Sequence, residues 1–256
     1  MIWLRSALFN AAFFGMTAVM AAIGLPLLLL PRGALWTFAR FWVRLVLWLL
    51  RLLVGIRVRV SGAEHLPDGP GLVAAQHQSA FDTIIWLALL PRPAVVLKRE
   101  LLRIPIYGWF CRKFGMIPID RTAGGAAIRA LLRGADAAVA AGRPVLIFPE
   151  GTRTEPGAQH PFQPGVAALA RRIGGAVVPV ATDSGRHWGR RAFRKLPGTI
   201  SIAVLPPIPV TADRDRLVAQ LESAIAEGFR QLSADSVDNS VSSAPSEFGR
   251  HPRSVS

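Results

Sequence analysis

The chain opens with long apolar stretches and then, near residue 60, changes to short apolar runs separated by polar ones. No charged side chain lies between Arg5 and Arg32, and the apolar run Ala7 to Leu30 exceeds the roughly 20 residues a helix needs to cross a bilayer. Asn10, Gly15, Gly24 and Pro26 make a tilted, kinked or re-entrant helix equally admissible, because a proline removes a backbone donor within the run. A cleaved signal peptide fits less well, since its apolar core should be about 7 to 15 residues long and end in a small-residue cleavage site.

Residues 34 to 55 form a second apolar segment in which Arg40, Arg44 and Arg51 fall within about 40° of one another on a helix. With Trp36, Trp42 and Trp48, that stripe suggests an interfacial helix, arginines at lipid phosphates and tryptophans at headgroup level. A second span or a core helix with snorkelling arginines is the rival.

From Val60 to Val210 short β-type runs alternate with helical ones. Leu72 to Gln76, Ala94 to Lys98, Met116 to Asp120, Val145 to Phe148, Ala176 to Ala181 and Ile200 to Leu205 read as strands. Such alternation predicts an α/β fold, a mostly parallel sheet covered by helices, with an N-terminal membrane-associated helical segment. Residues 213 to 232 predict an amphipathic helix through Leu217, Leu221, Ile225, Phe229 and Leu232. Beyond Ser233 large apolar residues are too few to offset ordering entropy. The expected organisation is membrane-seeking helices over 1–58, a catalytic domain over 59–232 and a disordered tail over 233–256.

Composition adds constraints. The 256 residues suit one domain with appendages, and the hydrophobic share of 51% is concentrated at the N-terminal end. A formal charge of +14 suits nucleic acid, anionic lipid or an acidic carrier protein, and does not choose among them. More arginines follow the first apolar segment, Arg32 through Arg59, than precede it, so the positive-inside rule places the downstream domain on the cytoplasmic side of a membrane. The single cysteine, Cys111, excludes an intramolecular disulfide and any CxxC zinc or redox site. No metal-ligand spacing stands out.

Candidate chemistry gathers just beyond predicted strands, where open α/β sheets place reactive groups. In Gln76-His77-Gln78-Ser79-Ala80-Phe81-Asp82 an imidazole could be held by a carboxylate as a general base. Five residues on one continuous helix would set His77 and Asp82 about 140° apart, so they can meet only across a turn. Ser79 offers one as an N-cap, with Asp82 in the first helical turn and His77 in the preceding loop. Alone the spacing is weak, since Asp82 could merely complete the cap. Lys98, Arg99 and Glu100 begin a segment that runs through Gly108 to Arg121, and it also reads as a solvated basic surface. Phe148-Pro149-Glu150-Gly151-Thr152-Arg153 ends a strand in a loop whose glycine allows close approach and whose arginine matches a phosphate. An ordinary turn with a local Glu150 to Arg153 ion pair is the alternative.

The order of these segments, closing with Val178-Pro179-Val180, resembles the glycerolipid acyltransferase family, most closely its 1-acylglycerol-3-phosphate acyltransferase branch. The four blocks cover roughly residues 70 to 182, and four ordered matches are far more specific than any one. The resemblance implies His77 as base and Asp82 as its orienting partner. It further implies that Lys98, Arg99, Glu100, Gly108, Arg121, Glu150, Gly151, Thr152 and Arg153 help hold the acyl acceptor and its phosphate. Gln76 stands where many relatives carry asparagine. The expected reaction moves a fatty acyl group from acyl-CoA or acyl carrier protein, as co-substrate, to the sn-2 hydroxyl of lysophosphatidic acid. No cofactor, metal or nucleic acid partner is expected, and membrane lipid is the working environment. Acylation of another lysolipid, such as a lyso-aminolipid, and a non-catalytic basic membrane-binding role are the competing functions.

Overall fold

A computed structural model describes residues 1–158 and 160–241. The first two helices, α1 (Ile2–Gly24) and α2 (Arg32–Leu49), are joined through a 3-10 turn over Pro26–Leu29 and run antiparallel. Trp42 Nε1 donates to Thr17 Oγ1 midway (3.1 Å), and Arg5 Nε donates to the Leu53 carbonyl at the open end (2.8 Å). α2 passes into one π turn, Leu50–Val54, closed by Gly55 at φ 79°, where the absence of a Cβ removes the left-handed penalty. Strand β1 (Ile56–Ser61) follows at once.

The rest alternates strand and helix: β2 (Leu72–Ala75), α3 (Ala80–Leu89), β3 (Ala94–Lys98), α4 (Tyr107–Phe114), β4 (Ile117–Ile119), α5 (Gly125–Ala140), β5 (Val145–Ile147), α6 (Gly165–Ile173), β6 (Ala176–Thr182), a short α7 (Ser184–His187), β7 (Gly198–Val204), β8 (Ile208–Pro209) and α8 (Arg214–Val241). They form one sheet in the order β1-β7-β6-β2-β5-β3-β4, with β8 pairing β6. β6, β2, β5, β3 and β4 are mutually parallel, while β7 and β8 run antiparallel to β6, and β1 runs parallel to β7. The mostly parallel α/β sheet covered by helices is therefore the observed architecture.

Strand alternation divides the core into two layers. Val73 and Ala75 of β2 face a cluster with α2 and α3 through Val43, Val46, Phe81, Ile84 and Ile85. Leu72 and Ala74 face the other side, where α5, α6 and α8 contribute Leu131, Leu169, Leu217 and Leu221. β2 is thus buried on both faces near the middle of the sheet, and its carboxyl end is a rigid mount.

Four expectations change. Trp36 of α2, expected at headgroup level, is instead buried against Phe114, and Leu35, Ala39, Val43 and Val46 bury the inner face of the helix in the core. Arg44, Phe41 and Trp48 remain on its outer face. Strand β1 begins at Ile56, inside the stretch assigned to the N-terminal helices, with Ile56, Val58 and Val60 turned inward and Arg57 exposed. The short β8 was not foreseen. Finally, α8 continues to Val241, so residues 233–241 of the expected disordered tail are helical, while 242–256 lie outside the described residues.

α1 is the one helix among the described residues long and apolar enough to cross a membrane. It exposes Leu4, Leu8, Phe14, Val19 and Ile23, yet turns Ser6, Phe9 and Phe13 onto the segment after α7. There Lys195, buried in the fold, donates from Nζ to Asn10 Oδ1 (3.0 Å) and to the carbonyls of Ala192 (2.9 Å) and Phe193 (3.0 Å). Its ammonium also lies 5.1 Å from the Trp188 ring centre.

Candidate active site

The site is built where β2 ends and α3 begins. Ser79 caps α3 in an extended conformation, its Oγ accepting from the Phe81 N–H at 3.1 Å. Asp82, three residues on, returns its Oδ2 to the Ser79 N–H (2.8 Å) and to the Gln78 N–H (2.7 Å). The same oxygen faces His77 Nδ1 at 3.1 Å. The turn through Ser79 therefore brings together two side chains that a continuous helix would separate.

An ionised carboxylate only accepts, so the His77 to Asp82 bond puts the proton on Nδ1 and leaves the lone pair on Nε2. The imidazole is 12% exposed, enough to meet a substrate while its other edge is fixed. Phe148 stacks on it with ring centres 4.2 Å apart and 22° between planes.

The loop after β5 grips the backbone of the same histidine. Glu150 Oε2 accepts from the His77 N–H at 2.8 Å, and the Thr154 N–H donates to the His77 carbonyl at 2.8 Å. Glu150 is 4% exposed, and burial, with Asp82 nearby, pushes its carboxyl up to about 8. Glu150, expected among the acceptor ligands, thus faces His77 and not solvent. Thr154 and Phe148, which sequence reasoning left without a role, belong to the same grip.

The remaining expected residues divide. Gly151, at φ 72°, sits beneath the Arg121 guanidinium, which donates to its carbonyl; a Cβ there would stand 3.0 Å from Arg121 Nη1. Burial holds the Arg121 guanidinium below its ordinary range, and Glu100 opposes that shift. Thr152 and Arg153 are half-buried on the loop, with Arg153 electrostatically coupled to Tyr107 at the start of α4. Lys98 at the end of β3 and Arg99 and Glu100 just past it are exposed, and Arg99 meets Asp120 at 3.4 Å. Lys98, Arg121 and Arg153 thus form a cationic flank on the β5-β3-β4 side of His77.

Gly108 is buried, and a Cβ there would stand 2.2 Å from the Leu102 carbonyl oxygen, so the glycine serves the close packing of α4 on the preceding 3-10 turn. The alternative of a local Glu150 to Arg153 ion pair is not among the ion pairs of the described residues.

Chemically, an imidazole oriented by a carboxylate, beside a loop carrying arginine and a glycine-lined backbone, can accept a proton from an alcohol and neutralise an anionic substrate. No group of three or more His, Cys, Asp or Glu side chains that could hold a metal occurs among the described residues.

Comparison with known proteins bears on these residues. The family model described as Acyltransferase matches residues 57–183. The 1-acyl-sn-glycerol-3-phosphate acyltransferase of Pseudomonas aeruginosa is 34% identical over 210 residues, spanning 80% of this chain and 82% of the relative. The alpha form of that enzyme from Homo sapiens is 34% identical over 200 residues, 75% of this chain and 71% of the relative. The crystal structure of the 1-acyl-sn-glycerophosphate acyltransferase of Thermotoga maritima shares the fold, with a TM-score of 0.75, 22% identity and coverage of 91% of this chain and 98% of that one. On the strength of these matches, and with His77, Asp82 and the Glu150 loop assembled within the matched region, the chain belongs to the glycerolipid acyltransferase family, in the branch of the 1-acyl-sn-glycerol-3-phosphate acyltransferases.

Proposed function

We propose that the protein is a membrane-associated enzyme that transfers a fatty acyl group from acyl-CoA or acyl carrier protein to the sn-2 hydroxyl of 1-acyl-glycerol-3-phosphate, giving phosphatidic acid. The observation that carries the reading is the His77 to Asp82 bond at 3.1 Å, inside a region whose relatives bear that activity by name.

An alcohol is a poor nucleophile until a base takes its proton. His77 Nε2 accepts the hydroxyl proton as the oxygen attacks the thioester carbonyl, and Asp82 stabilises the imidazolium that results. The tetrahedral oxyanion collapses, the C–S bond breaks, and the thiolate leaves with the proton that His77 returns. Electrons and protons balance without a covalent acyl-enzyme. Arg121, Arg153 and Lys98 supply the positive field for the acceptor phosphate. The apolar outer face of α1 keeps the enzyme at its lipid substrates, with the catalytic domain on the cytoplasmic side.

His77→Ala removes a general base worth about 10²- to 10⁴-fold. Thiol release from acyl-CoA, with lysophosphatidic acid offered beside other lysolipids, is the measurement. Release that survives the substitution would sink the base assignment, and preference for a different lysolipid would reassign the acceptor.

A further inference from the structure

A second cationic cluster lies away from His77. At the open end of the helical hairpin a surface hollow of about 340 Å³ is lined by Arg51, Gly55, Arg57, Gly198 and Thr199. Arg5 joins them: its Nε is held by the Leu53 carbonyl at 2.8 Å, and a Cβ on Gly55 would stand 3.4 Å from its Nη2. Three arginines, from α1, the π turn and β1, thus border one floor. Two of the floor residues are glycines, and both pack closely: a Cβ on Gly198 would stand 2.3 Å from the His187 ring, which borders the floor beside Arg5. Thr199 adds a hydroxyl, and none of the lining residues is acidic.

We propose that this hollow binds the phosphate of an anionic membrane phospholipid, separately from the acyl acceptor. Guanidinium groups around a glycine floor match a phosphate oxyanion in charge and donor geometry. The lipid source is favoured because the neighbours of Arg5 and Arg51, Leu4 and Leu52, are 66% and 56% exposed, offering apolar surface beside the cations. Separation from catalysis follows from the sheet order: β1 lies three strands from β2, about 14 Å at the usual strand spacing. The acceptor's cationic flank is on the opposite side of β2.

The test uses the full chain and vesicles of phosphatidylcholine alone or mixed with phosphatidylglycerol, at physiological ionic strength, where exposed charges beyond about 8 Å are screened. Arg51→Gln with Arg57→Gln should weaken binding to the mixed vesicles by at least about tenfold, given what each arginine at a lipid surface contributes. It should leave acylation of a short-chain acceptor in detergent unchanged. Arg129→Gln with Arg133→Gln, removing the same charge from exposed positions on α5, should leave vesicle binding intact. Equal losses in both pairs would reduce the hollow to diffuse charge and overturn the proposal. Displacement from mixed vesicles by inorganic phosphate would overturn the lipid source in favour of a free anion. Loss of detergent activity in parallel with binding would place the hollow in the acceptor site and overturn its separation.

Discussion

A carboxyl group with almost no exposed surface can be stabilised by donors or by keeping its proton, and Glu150 does both. It accepts the His77 N–H, and its carboxyl is raised to about 8. Between about 4.5 and about 8 the folded chain therefore holds a proton that the unfolded chain has released. The unfolded state then binds fewer protons, so this group's contribution makes stability fall as pH rises through that window. Glu150→Gln, whose amide oxygen still accepts from His77, should flatten that fall in unfolding temperature and retain most activity. Glu150→Ala leaves a buried N–H without an acceptor, costing about 1–3 kcal/mol, and should lower turnover at least tenfold; equal turnover in the alanine variant would leave Glu150 with no positioning role. The loop sequence does not disclose this, because the direction of a carboxylate in a Pro-Glu-Gly turn depends on what packs against it. Here that is a histidine 73 residues away.

At the scale of elements, the helix cap and the catalytic pair are one construction. Ser79 orders the first turn of α3, and that turn aims Asp82 back at His77. Ser79→Ala should lower stability by about 1 kcal/mol and lower turnover more than it raises KM, since the pair and not the acceptor contacts is loosened. A loss confined to KM would contradict that coupling. This element was legible because capping chemistry is local and fixed by three residues of spacing. α2 was less so: its arginine stripe is real, but a stripe only says which face is polar, and Val43, Val46 and Leu49 of the apolar remainder pack into the core beneath it. β1 has clear alternation of period two, yet it is short and follows the π turn without a break, so the preceding helical pattern masked it. The attachment of α1 is a third element-scale feature. Asn10→Ala deprives the Lys195 ammonium of one of its three oxygen acceptors, and a charged hydrogen bond of this kind is worth about 1.5–3 kcal/mol. Thermal unfolding in detergent should register that loss, and no change would mean that α1 is not held through Lys195.

For the whole molecule, the α/β class and six of the eight strands follow from the sequence pattern, because a central parallel sheet forces apolar runs of recognisable length. The sheet order does not follow, and it is the order that places His77 between two basic flanks and sets the hollow at Arg51 and Arg57 apart from catalysis. The neighbours of β2 in that order are β5 and β6, whose paired residues stand more than 70 and 100 positions later in the chain. In time, this means that the hairpin of α1 and α2 leaves the ribosome while the mount for His77 still lacks both flanking strands. At about 5–20 residues per second, the residues between Val54 and Thr182 take about 6–26 s to synthesise. A newborn chain can therefore reach a bilayer before it can catalyse, and its inner apolar face has lipid to shelter it until the strands that finally cover it are made.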